Sequence, residues 1–177
     1  MATLLKTGQP ADRGDSRAFH GGDFRGIEKR LDYLKDLGVT GIWMNPVYKD
    51  SSRHASPYHG YHTVNFYAVE PRFGTMEELQ QLVLSAHGLG LKIMLDQIAN
   101  HCGPNHPWLE ALPTATWFHD LEVLPRLRNN FDIPALSDPY ARPRRQNSPL
   151  RGWFAGNLPD LDQRDPLVSD YLIQNTL

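Results

Sequence analysis

The run Leu91-Lys92-Ile93-Met94-Leu95-Asp96-Gln97-Ile98-Ala99-Asn100-His101 decides the fold. Its first five residues are a short apolar run closed by a carboxylate, which reads as a strand ending at Asp96. Just upstream, Thr75-Met76-Glu77-Glu78 is a capping-box sequence, and apolar Met76, Leu79, Leu82, Val83, Ala86 and Leu89 follow at helical spacing. Gly88 and Gly90 are stop signals. Further back, Val39-Thr40-Gly41-Ile42-Trp43-Met44 is a second short apolar run, closed by Asn45-Pro46. It suits a strand buried on both faces, as in a parallel sheet, with Trp43 in the core. From Arg25 to Leu37, apolar Ile27, Leu31, Leu34 and Leu37 predict one helix with a single buried stripe, ended by Gly38. Strand, helix and strand in this order predict parallel strands joined by a right-handed crossover.

The connections between these elements are long. Asn45 to Gly74 reads as a loop rich in Tyr, His, Pro and Gly, and loops of that length in a compact domain are usually functional or disordered. Cys102 to about Gly156 shows neither helical nor strand period and reads as a small irregular subdomain. Asp165-Pro166 is a helix start, and Val168, Tyr171, Leu172 and Gln174 continue the spacing to Leu177 without a stop signal, as though a larger domain were interrupted there.

Composition excludes several classes. At 177 residues, 40% hydrophobic and 21% charged, the make-up is that of a soluble globular unit. A net charge of -2 gives no footprint for nucleic acid or an anionic membrane, and no apolar run reaches spanning length, so a neutral polar ligand fits best. Cys102 is the single cysteine, so no internal disulfide forms; no base partner is evident beside it, and it is not read as a nucleophile. The start, MATLLKTGQPADRGDS, lacks the apolar core of a signal peptide, which predicts a cytoplasmic protein as given, or a secreted one if a leader was removed.

In parallel α/β folds, ligands gather beyond the carboxyl ends of the strands. Asp96, Asn100 and His101 stand on such a rim, where they either serve a site or merely cap the strand and the next turn. The stretch Asp96 to His101 resembles the first conserved stretch of the α-amylase family of glycoside hydrolases, an aspartate four residues before an Asn-His pair. Three further stretches agree in order and spacing: Gly38 to Pro46, Tyr58-His59-Gly60-Tyr61 leading to Pro71-Arg72-Phe73-Gly74-Thr75, and Leu158-Pro159-Asp160-Leu161-Asp162. The resemblance covers roughly Phe19 to Leu177. It implies an α/β fold, a partial TIM-type (β/α) barrel with a long irregular subdomain inserted after the third family strand. Residues 1–101 would form the N-terminal part of the barrel, 102–160 the inserted subdomain and 161–177 the start of the next barrel helix.

The resemblance also implies roles. Tyr61 would stack on the sugar ring next to the scissile bond, His101 would hydrogen-bond that sugar, and His59 would line the same wall. Asp96 would be a supporting carboxylate in the same substrate site. Asn100 and Asp160 would be ligands of a structural calcium, the candidate cofactor. Plainer readings stand beside these: Tyr61 as a core aromatic, His59 as a loop hydrogen-bonder, Asp160 as a turn former. The implied substrate is an α-glucan such as starch or a malto-oligosaccharide, and the alternative to hydrolysis is a non-catalytic carbohydrate-binding or barrel-complementing fragment. The family's nucleophile stretch, Gly-x-Arg-x-Asp, and its general-acid glutamate lie downstream of the calcium loop and are not in this sequence. Asp96, Asp160 and Asp162 are the only substitute rim carboxylates. A mild departure is Glu70, where the family usually has an aspartate before the proline. Two recognisable strands leave open sheet edges, which predicts a homo-oligomer or a complementary barrel fragment as partner.

Overall fold

The computed structural model describes residues 14–15, 18–51, 58–119, 138–140 and 157–176. They fall into two compact units, residues 14–61 with 65–97, and residues 62–64 with 98–176.

In the first unit, the Asp23 carboxylate accepts the Gly26 N–H at 2.6 Å and starts α1 (Phe24–Glu28). The single helix expected from Arg25 to Leu37 is in fact two: α1 closes with Arg30 N–H on the Ile27 carbonyl, a three-residue bond in place of the four-residue one, and α2 (Leu31–Asp36) begins after it. Gly38, at φ +88°, ends α2 in a Schellman motif, with Val39 N–H on Leu34 O and Gly38 N–H on Lys35 O. Leu37 occupies the cap and is 64% exposed, so it leaves the stripe to which its spacing assigned it.

Strand β1 (Gly41–Met44) follows. The stretch read as a loop from Asn45 to Gly74 contains two paired strands, β2 (Tyr48–Asp50) and β3 (Thr63–Val69). Glu70 clamps them: one carboxylate oxygen accepts the Asp50 N–H at 3.0 Å and the other takes Arg72 Nε at 2.6 Å. Helix α3 (Met76–Gly88) carries the expected capping box between Thr75 and Glu78. It ends in a second Schellman motif at Gly90, where Leu91 N–H reaches Ala86 O. Strand β4 (Lys92–Leu95) then lies parallel to β1 in the register Ile42↔Ile93, Trp43↔Met94.

Phe24, Leu31, Met44, Val47, Leu79, Leu82, Ala86 and Leu91 form the core, with Ile27, Ile42 and Ile93 packed against it. Burial of β1 on both faces does not occur. Side chains alternate along a strand, and the helices cover only the face of Ile42 and Met44. Trp43, read as core, is 71% exposed, and its cross-strand neighbour Met94 is 50% exposed.

In the second unit, isolated bridges join His101 to Asp160 and Phe118 to Leu161. Cys102 N–H on Pro159 O and Leu161 N–H on Asn100 O lock the same two segments together. Trp108 packs edge-on against Trp117 and Tyr171, each at 4.9 Å between centroids. Helix α4 (Pro166–Thr176) starts where Asp165-Pro166 predicted, and Asp165 accepts the Leu167 N–H and the Thr114 and Thr116 hydroxyls. Most of the expected irregular subdomain, residues 120–137 and 141–156, lies outside the described residues.

Candidate substrate-binding site

Parallel pairing brings the carboxyl ends of β1 and β4 side by side, and Asp96 N–H on Met44 O extends the ladder by one bond at 3.2 Å. This sets the Asp96 carboxylate at the rim. Tyr61 reaches it across the chain, its hydroxyl donating to Asp96 Oδ2 at 2.9 Å. That bond, with lesser contributions from burial and the Asp96 charge, raises the Tyr61 phenol above its ordinary range. Tyr48 is raised too, first by burial and then by the Asp96 charge.

What delivers Tyr61 is the turn before it. Gly60 holds φ +82°, and a Cβ there would stand 2.6 Å from the Pro46 carbonyl oxygen, so the turn sits hard against the loop leaving β1. His59 Nδ1 accepts the Tyr61 N–H at 2.9 Å, and its ring lies 5.7 Å from the Tyr61 ring at 33°. Tyr58 meets His59 edge-on at 5.0 Å. Burial lowers the His59 imidazole below its ordinary value and favours the neutral ring. Tyr61 is half-buried, a rim residue and not a core aromatic.

A second cluster lies in the other unit. Asp160 is 4% exposed, and its Oδ2 meets His119 Nδ1 at 2.5 Å. His119 Nε2 meets Asp162 Oδ1 at 3.0 Å, so one imidazole bridges two carboxylates. Asp162 is further held by Arg164, through Nε to Oδ1 at 2.8 Å and Nη2 to Oδ2 at 2.6 Å, which pulls its carboxyl down to about 2. Burial pushes Asp160 the other way, upward, against the pull of His119. Asn100 Nδ2 lies 3.1 Å from Nδ1 of the buried His101. Asp160 Oδ1 is buried with no hydrogen-bond partner among the described residues.

His59, Tyr61 and Asp96 therefore share one cluster, and Asn100, His101, Asp160 and Asp162 share the other. His119 is the member of this cluster that sequence reasoning missed. It sits in an aperiodic stretch, and only the bridge of Phe118 to Leu161 brings it to the two aspartates. Among the described residues no helix is long and apolar enough to cross a membrane.

The family model described as "Alpha amylase, catalytic domain" matches residues 9–169. The intracellular maltogenic amylase of Bacillus subtilis (strain 168) is 32% identical over 170 residues, covering 92% of this chain and 25% of that protein. The Beta/alpha-amylase of Paenibacillus polymyxa is 44% identical over 113 residues, 62% of this chain and 9% of that protein. The crystal structure of an alpha-amylase from Geobacillus thermoleovorans complexed with acarbose superposes with a TM-score of 0.75 at 36% identity, covering 98% of this chain and 34% of that one. The chain thus spans a quarter or less of the length of these curated relatives.

Proposed function

Because the chain belongs to the alpha-amylase family of glycoside hydrolases, we propose that it forms the front portion of an α-glucan-hydrolysing barrel and holds part of its sugar-binding wall. The observation that carries this reading is the Tyr61–Asp96 hydrogen bond at the carboxyl ends of two parallel strands. A phenol anchored by its hydroxyl offers a fixed apolar face, and a pyranose face packs well on such a ring. The acarbose complex of the Geobacillus relative and the maltogenic name of the Bacillus one support a starch-like or malto-oligosaccharide substrate. The word intracellular in the latter's name supports a cytoplasmic site of action.

Retaining hydrolysis needs two carboxyl groups about 5 Å apart, one ionised and one protonated. Asp160 and Asp162 do not serve as that pair, since both are buried and committed to His119 and, for Asp162, to Arg164. Asp96 supports Tyr61. By the family resemblance, the nucleophile and acid would come from stretches that follow the Leu158–Asp162 loop. The test is release of reducing ends from soluble starch by this chain alone and by the chain co-expressed with a polypeptide carrying those stretches. Turnover only in the second case, lost on Tyr61→Ala, is expected; full turnover by the isolated chain contradicts the assignment.

Calcium fits the second cluster. A hard cation takes six to eight oxygen ligands, and the buried Asp160 Oδ1, beside Asn100, would be one. The Asn100 side chain lies beside both His101 and Asp160, and its carboxamide oxygen would be the second donor. Among the described residues no three His, Cys, Asp or Glu side chains converge on one point, so backbone carbonyls and water would complete the shell. The ion would be structural, tying the segment after β4 to Leu158–Asp162.

A second reading is favoured by the exposed face of β1. Trp43 and its cross-strand partner Met94 are 71% and 50% exposed, and an apolar cavity of about 620 Å³ opens beside the strand, lined by Phe24, Ile27, Leu34, Ile42, Met44 and Val47. A partner strand, from a complementary barrel fragment or a second copy, would cover both. Light scattering checks this: a monodisperse monomer with cooperative melting contradicts it.

A further inference from the structure

We propose that His59 is a positioning residue: it fixes the Tyr61 ring through the backbone, by accepting the Tyr61 N–H on Nδ1, and it works as the neutral tautomer protonated at Nε2. The proposal rests on the sugar-wall reading of Tyr61 and adds the device that builds that wall.

A backbone N–H can only donate, so the 2.9 Å contact from Tyr61 N to His59 Nδ1 requires a lone pair on Nδ1. The neutral ring then carries its proton on Nε2. Geometrically this is an Asx-type turn, in which a side-chain acceptor closes on the N–H two residues ahead, with imidazole nitrogen in place of a carboxamide oxygen. Gly60 is the residue enclosed by the turn, and its φ of +82° is what brings the acceptor and the N–H together.

The ring does a second job. It lies between Tyr58 and Tyr61, edge-on to the first at 5.0 Å and tilted 33° to the second at 5.7 Å, so the turn and the tyrosine face are held by one side chain. The far end of Tyr61 is fixed by Asp96 at 2.9 Å. A phenol pinned at its backbone, along its ring and at its hydroxyl has few rotamers left. That preorganisation lowers the cost of seating a sugar on it. A positively charged imidazole would put a proton on Nδ1, break the turn and release the near end; the burial that holds His59 neutral works against this.

The test separates the acceptor from the ring. His59→Asn keeps a γ-branch acceptor and loses the ring; His59→Phe keeps the ring and loses the acceptor. Two readouts are taken on the full chain: ¹⁵N NMR of the ring nitrogens with amide exchange of Tyr61, and the dissociation constant for maltotriose. The wild type is expected to show a bare Nδ1 and a protonated Nε2 at neutral pH, with a protected Tyr61 amide. The Asn variant keeps that protection. The Phe variant loses it and binds maltotriose about five- to tenfold more weakly, the scale of one lost hydrogen bond. A protonated Nδ1 in the wild type, or a Phe variant matching the wild type in both readouts, overturns the proposal, as does an Asn variant as exchange-labile as the Phe variant. If the Phe variant does not fold, the wild-type tautomer and the Asn variant still decide. Failure of the wild type to bind maltotriose strikes the sugar-wall reading alone, because the ring nitrogens and the Tyr61 amide are read without sugar.

Discussion

Replacing Gly60 by alanine tests how the site is aimed. The residue sits at φ +82°, a region that costs an L-residue about 1–2 kcal/mol. The new Cβ would also stand 2.6 Å from the Pro46 oxygen and 3.4 Å from its Cβ, and the oxygen belongs to the backbone, which cannot swing aside as a side-chain tip can. Overpacking of that kind costs about 1–3 kcal/mol more, for a total of about 2–5 kcal/mol. Gly38→Ala is the matched control: φ is +88°, yet nothing lies within 4 Å of its Cβ, so only the conformational cost applies. Urea unfolding of both variants against the wild type isolates the close approach as their difference, expected at about 1–3 kcal/mol in favour of Gly38→Ala. Because Tyr61 is the next residue, Gly60→Ala should also release its hydroxyl from Asp96. Equal losses in the two variants would refute the claim that contact with Pro46, and not merely a left-handed backbone, seats the turn.

Asp162 predicts an acid-limb effect. Arg164 holds its folded pKa near 2 against an ordinary 3.8, so the stability it confers is present above 3.8 and is lost as pH falls through about 2. Allowing for the exposure of Arg164, Asp162→Asn should cost about 1–2 kcal/mol at neutral pH and flatten that limb in urea titrations from pH 5 to 2; an unchanged limb contradicts the assignment. His106 acts in another window. Burial pushes it down to about 4 from 6.5, the unfolded chain takes its proton first, and stability should fall by about 2 kcal/mol as pH drops from 6.5 to 4. His106→Asn, which retains an acceptor for the Trp108 N–H, should remove that slope. Saturating calcium should raise the melting temperature over that in a chelator, by about 2.7 kcal/mol of stability at a hundredfold excess over the dissociation constant. The rise should vanish in Asp160→Asn; equal melting with and without the ion speaks against the site.

Local chemistry made much of this legible in sequence. The Thr75–Glu78 capping box, Gly38 and Gly90 as helix stops and Asp165 as a cap each depend on residues a few positions apart, and all stand where read. The parallel pairing of β1 and β4 followed from their order. Features that depend on distant covering were not legible. Trp43 was read as core because its run is apolar, whereas exposure depends on which elements lie over that face. Strands β2 and β3 were hidden in a loop reading, although Thr63 to Val69 is rich in β-branched and aromatic residues, with Thr63 and Phe66 buried. Glu70 looked like a mild departure, yet both its oxygens are used, on the Asp50 N–H and on Arg72. Of the site, Tyr61 was named as the sugar-stacking residue and Asp96 as a supporting carboxylate, but their hydrogen bond spans thirty-five positions and only the folded chain reveals it. The His119 bridge is of the same kind.

The central claim is a sugar-binding wall at the carboxyl ends of β1 and β4, and the most direct test is titration of the ¹⁵N-labelled chain with maltotriose, followed by amide shifts. Saturable shifts centred on His59, Tyr61 and Asp96, abolished by Tyr61→Ala, are predicted. Shifts that scatter without saturation, or that saturate unchanged in Tyr61→Ala, would contradict it.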